Sequence, residues 1–242
     1  MALEWSTTAQ ENANSGVKIL VYGESGMGKT MLCATAPKPV VISAEAGLLS
    51  LTRKNIERVF GVDTPGISYD LPVIKIRTVQ DLVEAHAFCL SSPHAAQFET
   101  VCIDSISEIG ETVLNNAKKS VKDPRQAYGV LIEQMEDCIR KFRDLPGKNV
   151  YMAAKAERMK DEGTGVIRWG PSMPGSKLGQ ALPYFFDEVL KLDTNKDAQG
   201  KDYRYFRTQP DFQNIAKDRS GALDPMEFPH LAHVFNKIRQ GV

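Results

Sequence analysis

A glycine-rich turn between a predicted strand and a predicted helix constrains this chain more than any other feature. Residues 17–22 form a short, β-branched apolar run, which predicts a buried strand. The run leads directly into residues 23–30, GESGMGKT, and a helical stretch follows to about Ala36. Glycines let the backbone turn tightly, so that successive N–H groups can point at phosphate oxygens. The spacing predicts a phosphate-binding loop made of Gly23, Glu24, Ser25, Gly26, Met27, Gly28, Lys29 and Thr30.

Strand-like and helix-like segments alternate along most of the chain. Such alternation is typical of βαβ units, so it predicts an α/β fold whose mainly parallel sheet is flanked by helices. The polar, aperiodic residues 1–15 predict an N-terminal arm, and residues 16–242 predict a single domain. The predicted strands are residues 17–22, 39–43, 71–76, 100–104 and 149–154, and the predicted helices are about residues 79–90, 106–118 and 127–144.

The last third of the chain differs in character. Residues 155–183 are rich in glycine, proline and charge, and they predict a long loop that is either functional or disordered. Residues 187–193 and 203–207 flank a polar turn, which predicts a C-terminal β-hairpin. Residues 225–239 predict a closing helix.

Composition excludes several classes of protein. The 242 residues carry 30 Lys+Arg and 30 Asp+Glu, and zero net charge argues against a uniformly cationic nucleic-acid binder while leaving a local basic loop open. No apolar run approaches the roughly 18 residues of a membrane span, and the first residues lack the pattern of a secretory signal. Four cysteines without CxxC spacing are interpreted as reduced core residues of a cytosolic protein: Cys33, Cys89, Cys102 and Cys138.

An acidic residue at the end of the predicted strand 100–104 complements the glycine loop. Asp104 follows three apolar residues and, with the Thr30 hydroxyl, predicts a Mg²⁺ site, while Lys29 would reach the β- and γ-phosphates. The alternative for Asp104 is an N-cap of the following helix. Asn195-Lys-Asp resembles a guanine-reading motif, but its Asp stands one position early and in the predicted hairpin turn. ATP is therefore the expected nucleotide.

Glu45 follows the predicted strand 39–43 and is the candidate for activating water. A carboxylate at the C-terminal end of a parallel strand faces the ligand crevice, where it can polarise a water molecule. A solvated loop glutamate is the alternative, and position alone does not separate the two.

Several motifs resemble the RecA-type branch of the phosphate-loop ATPases. Ala44-Glu45 resembles the RecA pair whose glutamate activates water, and residues 102–106, CIDSI, resemble the Walker B strand of RecA and RadA. Residues 216–221, AKDRSG, are similar to the Lys-x-Arg-x-Gly motif of RadA and of hexameric replicative helicases. Most of the chain resembles compact phage-encoded AAA-domain nucleotide-binding proteins with a RecA core. That similarity includes Trp5, residues 123–129 (DPRQAYG) and residues 170–175 (GPSMPG).

The resemblance implies a mechanism and partners. It implies hydrolysis of ATP with Mg²⁺, assembly into a ring or filament on single-stranded DNA, and single-strand annealing in recombination, with a single-strand DNA-binding protein as a candidate partner. Lys217 and Arg219 would reach the nucleotide of the adjacent subunit, unless they only form a polar turn. Lys155 stands where such proteins carry a residue that senses the γ-phosphate, and it is either a phosphate contact or a surface lysine. A phage origin would place the protein in the bacterial host cytoplasm.

Two loops of RecA-type proteins bind DNA, and residues 118–125 and 156–180 match them. Their cations predict phosphate contacts, and an exposed Trp169 beside Arg168 could stack on unpaired bases. The acidic Glu157, Asp161 and Glu162 leave open the alternative of a mobile surface loop whose charges only maintain solubility. The candidate DNA-binding residues are Lys118, Lys119, Lys122, Arg125, Arg158, Lys160, Arg168, Trp169 and Lys177.

Two other classes of function remain open. A small-molecule or nucleotide kinase would use the same Lys29, Thr30 and Asp104, with arginines acting within one chain, and would turn over as a monomer. A non-hydrolysing ATP switch that recruits replication or recombination proteins would tolerate loss of Glu45. His230 and His233 are three residues apart but lack a suitably spaced carboxylate or cysteine, so no metal site is predicted there.

Overall fold

A computed structural model describes residues 5–45, 48–160 and 163–241. Residues 1–4 of the predicted arm, and Asp161 and Glu162 of the predicted long loop, lie outside the described residues. The helices are α1 (Thr8–Asn14), α2 (Arg53–Phe60), α3 (Val79–Ser91), α4 (Ile106–Ser120), α5 (Gln126–Arg143), α6 (Ser176–Ala181) and α7 (Leu231–Gly241), with 3₁₀ turns at Thr30–Thr35, Leu49–Leu51, Pro93–Gln97 and Leu182–Phe185. The strands are β1 (Lys18–Gly23), β2 (Pro39–Ser43), β3 (Val73–Lys75), β4 (Thr100–Asp104), β5 (Asn149–Lys160), β6 (Ile167–Ser172), β7 (Glu188–Lys196), β8 (Asp202–Arg207), β9 (Lys217–Asp218) and β10 (Met226–Glu227).

The described strands form one ten-stranded sheet with a parallel centre. Its order is β10-β8-β7-β1-β5-β4-β2-β3, with β6 paired to β5 and β9 paired to β7. Strands β7, β1, β5, β4, β2 and β3 pair in parallel, whereas β6, β8, β9 and β10 pair antiparallel to their neighbours. The predicted α/β fold with a mainly parallel sheet flanked by helices is confirmed. The carboxyl ends of the parallel strands meet at one edge, called here the carboxyl edge.

Strand β1 is buried on both faces, as expected for the centre of a parallel sheet. Its residues alternate between two cores. Leu20 and Tyr22 belong to the core that packs beneath α4 and α5, whereas Ile19 and Val21 belong to the core that includes α7 and the 3₁₀ turn Thr30–Thr35. The strand is therefore held from both sides, and the glycine loop at its end starts from a rigid base. The four cysteines are free and buried, in agreement with the sequence prediction.

The prediction of a long loop at residues 155–183 was wrong. β5 continues to Lys160 and pairs antiparallel with β6, so that Lys155 faces Ser172 and Lys160 faces Ile167. The two strands satisfy each other's backbone N–H and C=O groups, while the charged side chains Arg158, Lys160 and Arg168 stay exposed. The charge and glycine content of these residues suggested a loop. An extended hairpin can have the same polar composition, because its side chains do not need to be buried. α6 follows after a turn at residues 173–175.

Other predicted elements differ mainly at their ends. The predicted arm contains the helix α1, which begins with a capping box between Thr7 and Gln10. The closing helix begins at Leu231, and Met226–Glu227 before it pairs with β8. The predicted C-terminal hairpin is confirmed as β7 and β8. Among the described residues, no helix combines the length and the apolar character needed to cross a lipid bilayer.

Candidate functional site

The glycine loop begins at the carboxyl edge, where β1 ends at Gly23. Gly26 and Gly28 have φ angles of 78° and 99°, a region that favours glycine. At Gly23, a Cβ would lie 3.0 Å from the carbonyl oxygen of Leu192 on β7, so a side chain there would press on a neighbouring strand. The glycines predicted from the motif are therefore required by the backbone conformation and by the close approach of β7.

Lys29 closes over the loop that precedes it. Its Nζ donates hydrogen bonds to the carbonyl oxygens of Gly23 (2.7 Å) and Glu24 (2.8 Å). Beneath it, the buried Tyr151 hydroxyl donates to the Lys29 carbonyl oxygen at 2.8 Å. Burial lowers the pKa of Lys29, while the charge of Asp104 acts in the opposite direction. The ammonium group is therefore held at the loop by carbonyl oxygens, which phosphate oxygens can replace as acceptors.

Asp104 ends β4 at the carboxyl edge and is 1% exposed. Its carboxylate and the Thr30 side chain are hydrogen-bonded, which brings the last loop residue to the predicted Walker B position. Burial raises the pKa of Asp104 to about 6, and the Thr30 hydrogen bond opposes the rise. Its Oδ2 atom has no hydrogen-bond partner within the described residues.

This pair fits a divalent cation. A buried carboxylate oxygen without a partner is costly, and a hard cation is the group that would satisfy it. A hydroxyl and a carboxylate are oxygen ligands of the type that Mg²⁺ uses together with substrate phosphates. Thr30 and Asp104 are therefore the residues that would hold Mg²⁺, as the sequence predicts. Ser105, the next residue, caps α4 by accepting a hydrogen bond from the Glu108 backbone N–H at 3.4 Å, so the capping role considered for Asp104 belongs to its neighbour.

Glu45 lies just beyond the end of β2, next to the Asp104 position. Ser43 pairs with Asp104 across β2 and β4, and the Glu45 backbone N–H donates to the Ser43 hydroxyl at 3.3 Å. Glu45 is exposed, and its charge raises the pKa of both Lys29 and Asp104. The carboxylate therefore stands in the electrostatic field of the loop and is accessible to water, which fits the predicted role in activating water.

Lys155 lies beside the loop, but its ammonium group is paired. The residue is opposite Gly23 in the register of β1 and β5, and its Nζ lies 2.7 Å from Oε2 of Glu108. The hydrogen bond to Glu108 raises the pKa of Lys155, whose side chain is 54% exposed. A contact with a γ-phosphate would require Lys155 to exchange Glu108 for phosphate, and its role stays a prediction.

Lys217 and Arg219 lie away from the glycine loop of their own chain. Lys217 pairs with Val189 on β7, and the adjacent residue Glu188 is level with Ile19 on β1. Gly23 is four residues further along β1, which corresponds to about 13 Å at about 3.3 Å per residue. The two cations therefore lie toward the edge of the sheet opposite to the carboxyl edge, and they cannot serve their own site.

Both cations have partners within the chain. Lys217 Nζ donates to the Pro183 carbonyl oxygen at 2.9 Å, and Arg219 forms an ion pair with Asp187 at 2.8 Å. Arg219 also borders a cavity of about 1210 Å³, whose lining includes Thr8 of α1 and no residue of the glycine loop. Action on the nucleotide of an adjacent subunit stays a prediction, and it would require Arg219 to leave Asp187.

Tyr128, three residues after the first segment predicted to bind DNA, contacts Gly175 of the second segment. Tyr128, in the first turn of α5, places its Cδ1 atom 3.3 Å from the position that a Cβ on Gly175 would take. The first turn of α5 therefore adjoins the turn between β6 and α6. All eight predicted cations of the two segments are exposed: Lys118, Lys119, Lys122, Arg125, Arg158, Lys160, Arg168 and Lys177. Arg125 forms an ion pair with Asp123 at 3.0 Å.

The prediction of an exposed Trp169 was wrong. The side chain is partly buried against the core beneath α4 and α5. Arg158 lies 5.0 Å and Lys191 lies 5.7 Å from the ring centroid, in cation–π contacts. The Tyr22 hydroxyl donates a hydrogen bond to the Trp169 carbonyl oxygen at 3.0 Å, which connects β6 to β1. Sequence reasoning placed Trp169 in a loop, whereas strand pairing turns its ring toward the protein.

Two residues at these sites were missed by sequence reasoning. Tyr128 is 42% exposed and contacts Gly175, and Arg204 lies against Gly28 of the glycine loop. Alternation in β8 could have placed Arg204 on the same face as Phe206, but nothing in the sequence indicates which strand lies next to the loop. In the C-terminal helix, His233 contacts Glu227 at 3.3 Å.

The chain is similar to a known domain family and to solved structures. Residues 15–220 match the AAA domain family. The KaiC-like protein PH0186 from Pyrococcus horikoshii OT3 is similar at 15% identity and a TM-score of 0.42, over 79% of this chain and 77% of that chain. The flagellar accessory protein FlaH from Methanocaldococcus jannaschii is similar at 12% identity and a TM-score of 0.42, over 80% of this chain and 78% of that chain. No curated protein matches this chain in sequence.

Proposed function

The chain belongs to the AAA domain family, and we propose that it is an ATPase that uses Mg²⁺, assembles on single-stranded DNA and promotes annealing in recombination. The observation that carries the nucleotide part is the buried Asp104, whose Oδ2 lacks a partner and whose carboxylate is hydrogen-bonded with Thr30 of the glycine loop. Such a carboxylate is suited to a cation that accompanies phosphates.

Different residues at the glycine loop bind the phosphates and the metal ion. Lys29, whose ammonium group lies at the Gly23 and Glu24 carbonyls, donates to phosphate oxygens. Thr30 and Asp104 would hold Mg²⁺, which would neutralise charge on the phosphates. The positive φ angles of Gly26 and Gly28 curl the loop, so that its backbone N–H groups can bind the same phosphates.

Hydrolysis requires a water molecule directed at the terminal phosphorus. Glu45 orients that water and accepts its proton as the new P–O bond forms. The bond between phosphorus and the β–γ bridging oxygen breaks, and ADP and inorganic phosphate result. The exposure of Glu45, together with its electrostatic coupling to Lys29 and Asp104, supports this role.

In an assembly, residues of a neighbouring subunit complete each nucleotide site. Lys217 and Arg219 are too far from their own loop to act there, which supports a role on the nucleotide of the adjacent subunit. An arginine supplied from a neighbour stabilises charge on the transferring phosphoryl group. Head-to-tail contacts of this type generate a ring when they close and a filament when they do not.

The DNA part rests on the contact of Tyr128, which follows residues 118–125 in the chain, with the turn at Gly175. The Tyr128 ring is 42% exposed, and an exposed aromatic ring near cations such as Arg125, three residues earlier in the chain, suits the stacking of unpaired bases. Several subunits aligned in an assembly would place such surfaces in a row, which strengthens phosphate contacts. ATP binding, by ordering the subunit contacts, would couple nucleotide and DNA affinity.

A kinase acting on a small molecule is the second candidate, and Arg204 favours it. Such an enzyme uses arginines of its own chain at the phosphates, and Arg204 lies against Gly28 of the same chain. It would transfer the terminal phosphate to an acceptor and work as a monomer.

One experiment separates these functions. ATP turnover is measured with and without single-stranded DNA, together with the mass of the protein in solution. We expect DNA-stimulated release of phosphate by an oligomer. Phosphate transfer to an acceptor by a monomer would establish the kinase instead. ATP binding without turnover, coupled to recruitment of another protein, would identify a nucleotide switch.

Two variants test the parts of the proposal. Lys122→Glu should weaken single-stranded DNA binding and reduce its salt dependence, whereas Lys54→Glu, an exposed cation on α2, should leave both unchanged. Equal effects of the two variants would remove the surface from the proposal. Mixing Lys217→Ala with Lys29→Ala subunits should recover ATP turnover, because the second variant supplies an intact Lys217 to the intact loop of the first. A mixture without recovery would contradict action across the subunit boundary.

A further inference from the structure

Arg204 extends over the glycine loop from a strand that is distant in sequence. β7 runs parallel to β1, with Lys191 level with Tyr22, and β8 runs back along β7, with Arg204 opposite Thr194. Thr194 is three residues beyond Lys191, so the pairing of Thr194 with Arg204 lies past the carboxyl edge. The hairpin of β7 and β8 therefore continues beyond the end of β1, where the glycine loop begins.

The face of β8 decides where the Arg204 side chain points. Successive side chains of a strand alternate between its faces, so Arg204 and Phe206 share one face. Phe206 is fully buried in the core that includes Leu32 and Cys33, which follow the loop in the 3₁₀ turn Thr30–Thr35. Arg204, two residues closer to the tip of the hairpin, lies on the same side, and it leans over the loop instead of the core.

The contact itself is close. Nη1 of Arg204 lies 3.2 Å, and its Cζ lies 3.8 Å, from the position that a Cβ on Gly28 would take. Gly28 has a φ angle of 99°, so its own conformation also favours glycine. The absence of a side chain at residue 28 therefore leaves space for the guanidinium against the loop backbone.

Arg204 has no anionic partner. The side chain is exposed, and it forms no hydrogen bond or ion pair with any residue of the described ranges. Arg207, on the opposite face of the same strand, forms an ion pair with Asp211 at 2.9 Å. A guanidinium has five N–H donors in a planar fork that matches phosphate oxygens. An unpaired guanidinium against a phosphate-binding loop is placed to receive an anion.

We propose that Arg204 binds the phosphate chain of the nucleoside di- or triphosphate held by the glycine loop of its own chain. This inference rests on the proposed nucleotide binding. It adds a cation of the same subunit to Lys217 and Arg219, which are assigned to the neighbouring subunit. Each nucleotide site therefore receives positive charge from two chains. The C-terminal hairpin thereby becomes part of the nucleotide site.

Calorimetric titration with ADP tests the assignment. Arg204→Gln should raise the dissociation constant about 10-fold to 100-fold, as expected for loss of hydrogen bonds to a charged group. Arg204→Lys should restore part of the affinity, because it keeps the charge but not the fork. Lys201→Gln, which removes an exposed cation from the same hairpin, should bind ADP like the wild type. Matching thermal unfolding midpoints would show that all variants are folded.

The outcomes are distinguishable. Wild-type affinity in Arg204→Gln, or equal losses in Arg204→Gln and Lys201→Gln, would overturn the inference and leave the nucleotide site intact. Absence of ADP and ATP binding by the wild type would overturn the proposed function and this inference together. Mixed subunits of Arg204→Gln and Lys29→Ala should recover no ATP turnover, because neither loop is complete within its own chain. Recovery would show that Arg204 acts across the subunit boundary, against the inference.

Discussion

Replacing Asp104 by asparagine should stabilise the nucleotide-free protein at neutral pH. The carboxylate is 1% exposed, and burial raises its pKa from 3.8 to about 6. Because one pKa unit corresponds to about 1.4 kcal/mol, ionisation of this buried group costs about 3 kcal/mol of folding free energy above pH 7. Asparagine has nearly the same shape, can still accept the hydrogen bond from Thr30, and carries no charge. The expected gain is therefore at most about 3 kcal/mol.

The direction of the pKa shift determines how the difference in stability between the wild type and Asp104→Asn varies with pH. The folded pKa lies above the unfolded one, so between pH 3.8 and about 6 the folded wild type binds more protons than the unfolded chain. Its stability relative to Asp104→Asn is therefore retained at low pH and lost as the pH rises through about 6. The two proteins should be equally stable near pH 4, and the variant should be more stable at pH 7.5.

Denaturant unfolding in the presence of a chelator measures the difference. Asp70→Asn, which changes an exposed carboxylate, serves as the control and should alter the free energy of unfolding by less than about 0.5 kcal/mol. If Asp104→Asn were less stable than the wild type at pH 7.5, or if the difference did not vary with pH, the reasoning from burial would be refuted. With ATP and Mg²⁺ added, the order should reverse, because only the carboxylate gains a cation.

The remaining predictions concern two other carboxylates and a lysine. Glu45→Gln should keep ATP affinity and slow hydrolysis by about 10² to 10⁴, and unchanged turnover in a phosphate-release assay would remove Glu45 from the mechanism. Lys155→Ala breaks an exposed pair with Glu108, so the free energy of unfolding should change by less than about 1 kcal/mol. If Lys155 senses the γ-phosphate, the same variant should bind ATP more weakly in calorimetry while its affinity for ADP is unchanged. Burial, with the charge of Asp218, raises the pKa of Glu188 from 4.5 to about 8, so wild-type stability should fall as the pH rises from 4.5 through 8. Glu188→Gln should remove that fall, and parallel pH profiles of the two unfolding curves would contradict it.

The fold class and the centre of the nucleotide site could be predicted from the sequence because their signals are local. The glycine spacing at residues 23–30, the apolar run before Asp104 and the polar turn near Gly200 each specify a conformation within a few residues. The structure places Thr30 and Asp104 in hydrogen-bond contact, which the order of strands and helices already implied for a parallel sheet.

Charge and glycine content were misleading at residues 155–183. Composition reports whether side chains can be buried, and a hairpin that projects from a sheet buries few of them. Its strands are stabilised by backbone hydrogen bonds between β5 and β6, which do not depend on apolar side chains. The same strand pairing determines the position of the Trp169 side chain, which is partly buried beneath Arg158 and not on an open surface.

The sequence by itself determined the parallel α/β core, the glycine loop and the carboxylates at the ends of β2 and β4. Only the tertiary structure decided that Lys155 pairs with Glu108, that Tyr128 meets Gly175 and that Arg204 leans on Gly28. Each of these contacts joins residues that lie at least 47 positions apart. Their distances are set by the register of strands and the packing of helices, which depend on the whole core and not on any local pattern.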